Sequence, residues 1–185
     1  MKTIKNAAKS AFIAGFILFF AGCRTTKNEP FYTVKEHQSL PPVMTEVPVV
    51  EFSGLGIKYE CESMYLRNSV VIQDNDASGK FCIRLIDDAS TATMKVKFPA
   101  GTYECLFKEK AKDSDHSAFY VYLDGISYRI YTSIPPTGDW ELTTRVPVYF
   151  RLDEPRTVTV QLKPNSEQQL GSTGMNLDYI QFVKR

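Results

Sequence analysis

Residues 56 to 63 read GIKYECES, so two carboxylates, Glu60 and Glu62, flank Cys61 in a stretch whose neighbours favour strand. On a strand successive side chains point to opposite faces, which places both glutamates on one face and Cys61 on the other. Asp178, in GMNLDYIQF, supplies a third carboxylate if the first and last strands of a sandwich lie side by side. Three acids within a few ångströms repel unless they are protonated or neutralised by a cation. Hard oxygen ligands with backbone carbonyls filling the shell suit calcium. The same glutamates are also compatible with a solvated outer face.

Other groupings offer less chemistry. Asp87 and Asp88 are adjacent in a turn, where neighbouring side chains point apart rather than forming an acid/base pair. His116 lies in KEKAKDSDHS, a charged hairpin tip suited to solubility. Neither Ser-His-Asp nor Cys-His chemistry has a local motif, and no Gly-rich phosphate loop precedes a helix. Cys61, Cys82 and Cys105 have no zinc-site spacing; they allow at most one internal disulfide, of undetermined pairing, or stand as three small buried hydrophobes.

The elements that must position these residues are short strands. SVVIQ, FCIRLI, MKVKF, YECLFKEK, AFYVYL, ISYRIY, VPVYFRL, TVTVQL and LDYIQF are β-branched and aromatic runs separated by turn signals such as DNDASG, PAG and PPTGD. Asp124 and Gly125 in YLDGIS suit a tight hairpin turn. Residues 54–185 therefore predict one all-β domain, an antiparallel β-sandwich or jelly roll.

The N-terminal part reads as an address. Lys2, Lys5 and Lys9 precede the apolar run AFIAGFILFFA, which is shorter than the ~20 residues of a membrane span. Residues 1–22 read as a signal peptide, and FFAGC resembles a lipoprotein lipobox. That resemblance implies cleavage before Cys23 and lipid on its thiol; an ordinary secretory leader is the alternative. Arg24 following the cysteine points to the outer membrane in a diderm cell. Residues 23–53, with Pro30, Pro41, Pro42 and Pro48, read as an extended tether on which His37 is inert. At ~3.3 Å per residue the tether reaches on the order of 100 Å. Residues 1–22 carry three of the 22 basic and none of the 21 acidic residues. The remainder holds 19 against 21, about −2, and lacks the clustered basic character expected of a nucleic-acid binder.

Five segments, in order, resemble family 6 and family 35 carbohydrate-binding modules. YECES is similar to their EAE strand, PAGTYECLFK to their aG.Y strand, YLDGI to their v.vdG hairpin, TGDWEL to their tGgW loop and MNLDYIQF to their closing lNLDyi.f. The resemblance spans residues 57–183 and implies a galactose-binding-like sandwich that holds a structural calcium and a poly- or oligosaccharide without catalysis. It assigns calcium to Glu60, Glu62 and Asp178, and sugar contact to Trp140 and Asn176. An indole face packs on pyranose C–H groups, and an amide both donates to and accepts from hydroxyls. Trp140 as a half-buried anchor and Asn176 as a turn former remain open. The family's second aromatic is replaced by Leu85, leaving Tyr65, Tyr128 or Tyr131 as other platforms.

The expectation is a carbohydrate-binding lipoprotein of the bacterial envelope, not an enzyme, touching the membrane only through its lipid. The alternative is a structural or protein-interaction subunit of an envelope complex, on the same fold, with no working sugar site.

Overall fold

The computed structural model describes residues 44–54, 56–165 and 175–185. The leader, Cys23, His37 and residues 24–43 of the tether lie outside them, as do Gly171 and Gly174. The described strands are β1 (Val49–Glu51), β2 (Tyr59–Glu60), β3 (Tyr65–Arg67), β4 (Ser69–Gln73), β5 (Phe81–Leu85) and β6 (Thr91–Phe98). They continue with β7 (Gly101–Lys110), β8 (Ala118–Leu123), β9 (Ile126–Tyr131), β10 (Glu141–Leu152), β11 (Arg156–Pro164) and β12 (Asn176–Lys184).

These strands make two sheets. The first runs β1-β6-β11-β8-β9, with β3 also on β6; the second runs β10-β7-β12-β5-β4, with β2 on β12. The all-β sandwich expected from the sequence is what forms, because alternation sends one side of each strand inward. On β6, Ala92, Met94, Val96 and Phe98 are buried while Lys95 and Lys97 are exposed. Core residues of β7, β11 and β12 obey the same period, with Tyr103, Cys105, Phe107, Val158, Val160, Leu162, Ile180 and Phe182 all in one cluster.

At one end of the core the packing is aromatic. Phe98 lies 4.7 Å from Tyr103, 4.9 Å from Phe182 and 5.2 Å from Phe150, ring centre to ring centre, which joins the first sheet to three strands of the second. Phe107 of β7 meets Phe119 of β8 edge-on at 5.5 Å, a further bridge between the sheets. The β8–β9 hairpin turns at Asp124 and Gly125, both with positive φ, as the Asp-Gly pair predicts. Asp124 also accepts from the backbone N–H of Thr159 at 2.7 Å and from Arg156 at 2.7 Å, tying this turn to β11.

One expectation is corrected. Residues 49–53 were assigned to the tether, yet β1 pairs with β6 and Phe52 packs 5.3 Å from Phe98 and 5.2 Å from Tyr103. Proline content argued for a tether, but Pro48 ends its run one residue before the strand, and proline is compatible with a strand start at a sheet edge. β1 joins β6 in parallel, beside antiparallel pairings among the other strands. The long path through β2 to β5 removes the hairpin constraint that would force antiparallel order.

All three internal cysteines are buried free thiols. Burial pushes the thiol pKa of Cys82 up to about 12 and raises those of Cys61 and Cys105 as well, so thiolate, the reactive form, is scarce.

Because Phe52 belongs to the core, a chain beginning at residue 54 is expected to be less stable than one beginning at residue 44. Phe52→Ala should cost about 1–3 kcal/mol, less than a fully buried phenylalanine, as read from urea unfolding midpoints.

Candidate carboxylate site and the adjoining sheet face

The opening pair of glutamates is placed differently from a simple strand. The strand ends at Glu60, and Cys61–Ser63 form a 3-10 turn closed by the Met64 N–H donating to the Cys61 carbonyl at 3.2 Å. Cys61, 1% exposed, is drawn into the core, and this tightens the backbone after Glu60. Glu60 stands opposite Tyr179 in the β2–β12 register, which brings it beside Asp178. Two elements far apart in sequence thus present their acids to the same place.

The third wall is the turn before β5. The backbone N–H of Ser78 donates to both oxygens of Asp178, at 3.1 and 3.0 Å, and its hydroxyl donates to Glu60 Oε1 at 2.8 Å. Gly79 has φ +62°, and a Cβ there would come 3.4 Å from Glu62 Oε1. A glycine meets both demands, the left-handed backbone and the close approach of a carboxylate. Lys80 follows, also with positive φ.

This geometry leaves charge uncompensated. Glu60 Oε2 and Glu62 Oε2 are buried without hydrogen-bond partners. Burial, followed by repulsion from Glu60 and Asp178, pushes the Glu62 pKa up to about 7, against the help of its own backbone N–H. Burial likewise lifts Asp178 to about 6, with Glu60 adding repulsion and the Ser78 N–H opposing it. Among the described residues, no three histidine, cysteine, aspartate or glutamate side chains close around a single metal-binding point. The three acids are coupled through space, and Ser78 joins Glu60 to Asp178. With two orphaned oxygens and hard-oxygen chemistry, the donor set suits calcium more than a softer ion.

Trp140 and Asn176 reach a common side of the second sheet. Trp140 immediately precedes β10, and its carbonyl accepts from Lys108 Nζ at 2.9 Å. Lys110, on β7, holds its ammonium 5.6 Å from the indole centre and pairs with Asp74 at 3.0 Å. Burial would raise the Asp74 pKa, but the Asp76 N–H and Lys110 outweigh it and hold it below the usual value. Asn176 stands opposite both Lys110 and Arg84, and its Oδ1 accepts from Arg84 Nε at 2.8 Å. Trp140, Lys110, Asn176 and Arg84 thus lie in sequence across β10, β7, β12 and β5. Trp140 is half-buried, neither a bare platform nor a core residue.

Leu85 points into the core, 1% exposed, so it takes no part in this face. Tyr65, Tyr128 and Tyr131 belong to the first sheet. Asp87 caps its own turn by accepting from the Ala89 N–H, and Asp113 accepts from the backbone N–H of His116 and contacts its Nδ1 at 2.5 Å. Sequence reasoning missed Glu109, which is 1% exposed on the inward side of β7 with neither oxygen in hydrogen-bond geometry. Burial first, then repulsion from Glu141, raises its pKa to about 8. The alternation of YECLFKE, with Tyr103, Cys105 and Phe107 inward, was the signal that Glu109 follows them.

No protein-family profile matches the sequence, and no characterised protein matches it at a significant level. Solved structures share the fold. An exo-β-1,3-galactanase from Phanerochaete chrysosporium, in complex with β-1,3-galactotriose, aligns with a TM-score of 0.56 and 20% identity over 70% of this chain and 30% of its own. A cycloisomaltooligosaccharide glucanotransferase from Paenibacillus sp., complexed with cycloisomaltoheptaose, aligns at 0.53 and 21% over 70% and 18%. A Podospora anserina β-(1,4)-mannanase that joins glycoside hydrolase family 26 to carbohydrate-binding module family 35 aligns at 0.56 and 15% over 70% and 27%. The chain spans less than a third of each. These comparisons correct the expectation that the chain is not an enzyme: the proteins that share its fold are glycoside hydrolases and a glucanotransferase, so the fold is at home inside enzymes. That expectation rests on the resemblance to noncatalytic modules and on the absence of a local catalytic motif, and a missing local motif does not exclude chemistry assembled by a fold.

The raised carboxylates set a pH dependence in metal-free protein. Glu62 binds its proton more tightly folded than unfolded, so stability is highest at or below the ordinary carboxylate range and falls as pH rises toward about 7. Glu109 extends the fall toward about 8. In chelator, Tm should drop between pH 5 and 8 on the scale of these values, and Glu62→Gln should flatten the lower part of that slope, as followed by calorimetry.

Proposed function

We propose that the chain is a carbohydrate-binding lipoprotein of the bacterial envelope whose head is braced by calcium. The observation that carries the calcium reading is the meeting of Glu60, Glu62 and Asp178 over the Ser78–Lys80 turn, with two carboxylate oxygens buried and unpartnered. A divalent cation there would neutralise the repulsion that raises Glu62 and Asp178 and would lock β2 and the turn onto β12. Its role is structural, so it enters no reaction step.

The sugar reading is supported by the line from Trp140 to Arg84, which offers an indole, an amide and cations on one sheet face. It is also supported by the fold shared with carbohydrate-active proteins, one bound to a galactotriose. Lipidation at Cys23, and hence the membrane contact and outer-membrane location, rest on the FFAGC segment.

One observation favours the interaction-subunit reading. Asn176 Oδ1 is engaged by Arg84, and Lys110 sits by the indole, so a sugar must join or displace these contacts. The two readings part in one experiment. The chain is applied to a glycan array with calcium, beside Trp140→Ala and Asn176→Ala. Binding lost in both variants at unchanged Tm supports the sugar site; no binding to plant, host or microbial glycans moves the assignment to a protein partner. At calcium a hundredfold above Kd, stabilisation by roughly 2.7 kcal/mol is expected, and Glu62→Gln or Asp178→Asn should abolish it.

A further inference from the structure

The outward sides of the two sheets differ in how they treat charge. On the second sheet carboxylates accompany some of the cations, Asp74 holding Lys110 and Glu104 holding Arg185, while Arg84 and Lys108 donate to Asn176 and to the Trp140 carbonyl. On the first sheet, Glu51 of β1 is the one outward carboxylate on its described strands, and Lys97 takes it at 3.0 Å. Lys95, Lys163 and Arg67 make no ion pair among the described residues. A merely solvated surface mixes its charges, whereas this one segregates positive charge on a chain that is nearly neutral overall.

The cations flank an ordered row. Tyr122, Gln161, Thr93 and Tyr65 stand opposite one another across β8, β11, β6 and β3. Gln161 Nε2 donates to Thr93 Oγ1 at 3.1 Å, which sets the centre of the row. Lys163, one pleat to one side, holds its ammonium 4.9 Å from the Tyr122 ring centre. Arg67 lies on that same side beside Tyr65, and Lys95 lies on the other. Four strands at ~4.8 Å spacing give a row about 14 Å long.

The chemistry selects the occupant. An apolar protein surface would call for aliphatic side chains, and the row has none. Tyrosine rings pack on the C–H faces of sugars, the Gln161 amide, steadied by buried Thr93, pairs with sugar hydroxyls, and flanking cations neutralise carboxylates or sulfates. We propose that the outward face of the first sheet is a second binding surface, for an acidic polysaccharide laid across the strands over Tyr122, Gln161 and Tyr65. It lies on a different sheet from Trp140 and Asn176, so it stands or falls separately from the site they make.

The test uses the full chain and polygalacturonate, with neutral dextran and phosphatidylglycerol vesicles as comparisons. Polygalacturonate binding that weakens as salt rises is expected, with dextran left unbound. The double substitution Lys95→Gln/Lys163→Gln should weaken it roughly two- to thirtyfold, the range that two exposed charge contacts supply, and Tyr122→Ala should weaken it several-fold. Trp140→Ala should leave it unchanged. These side chains are outward, and an unaltered melting transition confirms that each variant is folded. The proposal is overturned if polygalacturonate does not bind, if dextran binds equally, if the double substitution has no effect, or if Trp140→Ala abolishes binding. Vesicle binding lost in the double variant, without polygalacturonate binding, would also overturn it and assign the face to a membrane surface.

Discussion

Mutual repulsion among Glu60, Glu62 and Asp178 is the constraint around which one end of this sandwich is arranged. Burial first, and neighbouring carboxylates second, raise the proton affinity of Glu62 and Asp178, and the fold answers with a backbone N–H and a hydroxyl from Ser78. Those two donors reach Asp178 and Glu60 and leave one oxygen on each glutamate without a partner. A junction of this kind is stable when protonated or when a cation is supplied. It therefore links the folding of β2 and the Ser78 turn to solution conditions, while the apolar core stays indifferent to them.

The opposite demand is met by the aromatic end of the core. Phe98, Tyr103, Phe150 and Phe182 join the sheets by edge and stacked contacts, and Phe52 closes the cluster from outside the expected domain boundary. Burial there is non-directional and insensitive to pH, so it holds the sandwich together whatever the ionisation of the carboxylates. Glu109 is the exception inside the core. It occupies an inward position of β7 without hydrogen bonds and keeps its proton up to about pH 8.

The two outward faces follow from the same alternation but present different chemistry. The second sheet carries paired charges around Trp140 and Asn176, a polar surface already engaged with itself. The first sheet carries tyrosines, an amide-hydroxyl pair and cations that remain outside carboxylate pairs. A single sandwich thus presents two outward faces of different chemistry without any change to its core.

Much of this was legible in the sequence because alternation and turn chemistry are local. The period of two in MKVKF, TVTVQL and YECLFKE determined which side chains face inward, and Asp124-Gly125 determined a hairpin, since φ/ψ limits act within a few residues. Fold class followed from those rules, whereas the free state of the three thiols and the adjacency of Glu60 to the last strand depend on which strands meet. What lies across the chain was decided only by the tertiary structure. Ser78 and Asp178 are 100 residues apart, and no local pattern announces that one donates to the other. The turn at Cys61 replaced the expected strand because the core took the thiol, Leu85 went inward, and residues 49–52 joined the sheet because β6 offered an unpaired edge and the aromatic cluster a vacant side. Such choices depend on which surfaces are left uncovered once the other strands have paired, a property of the assembled sheets rather than of any segment in them.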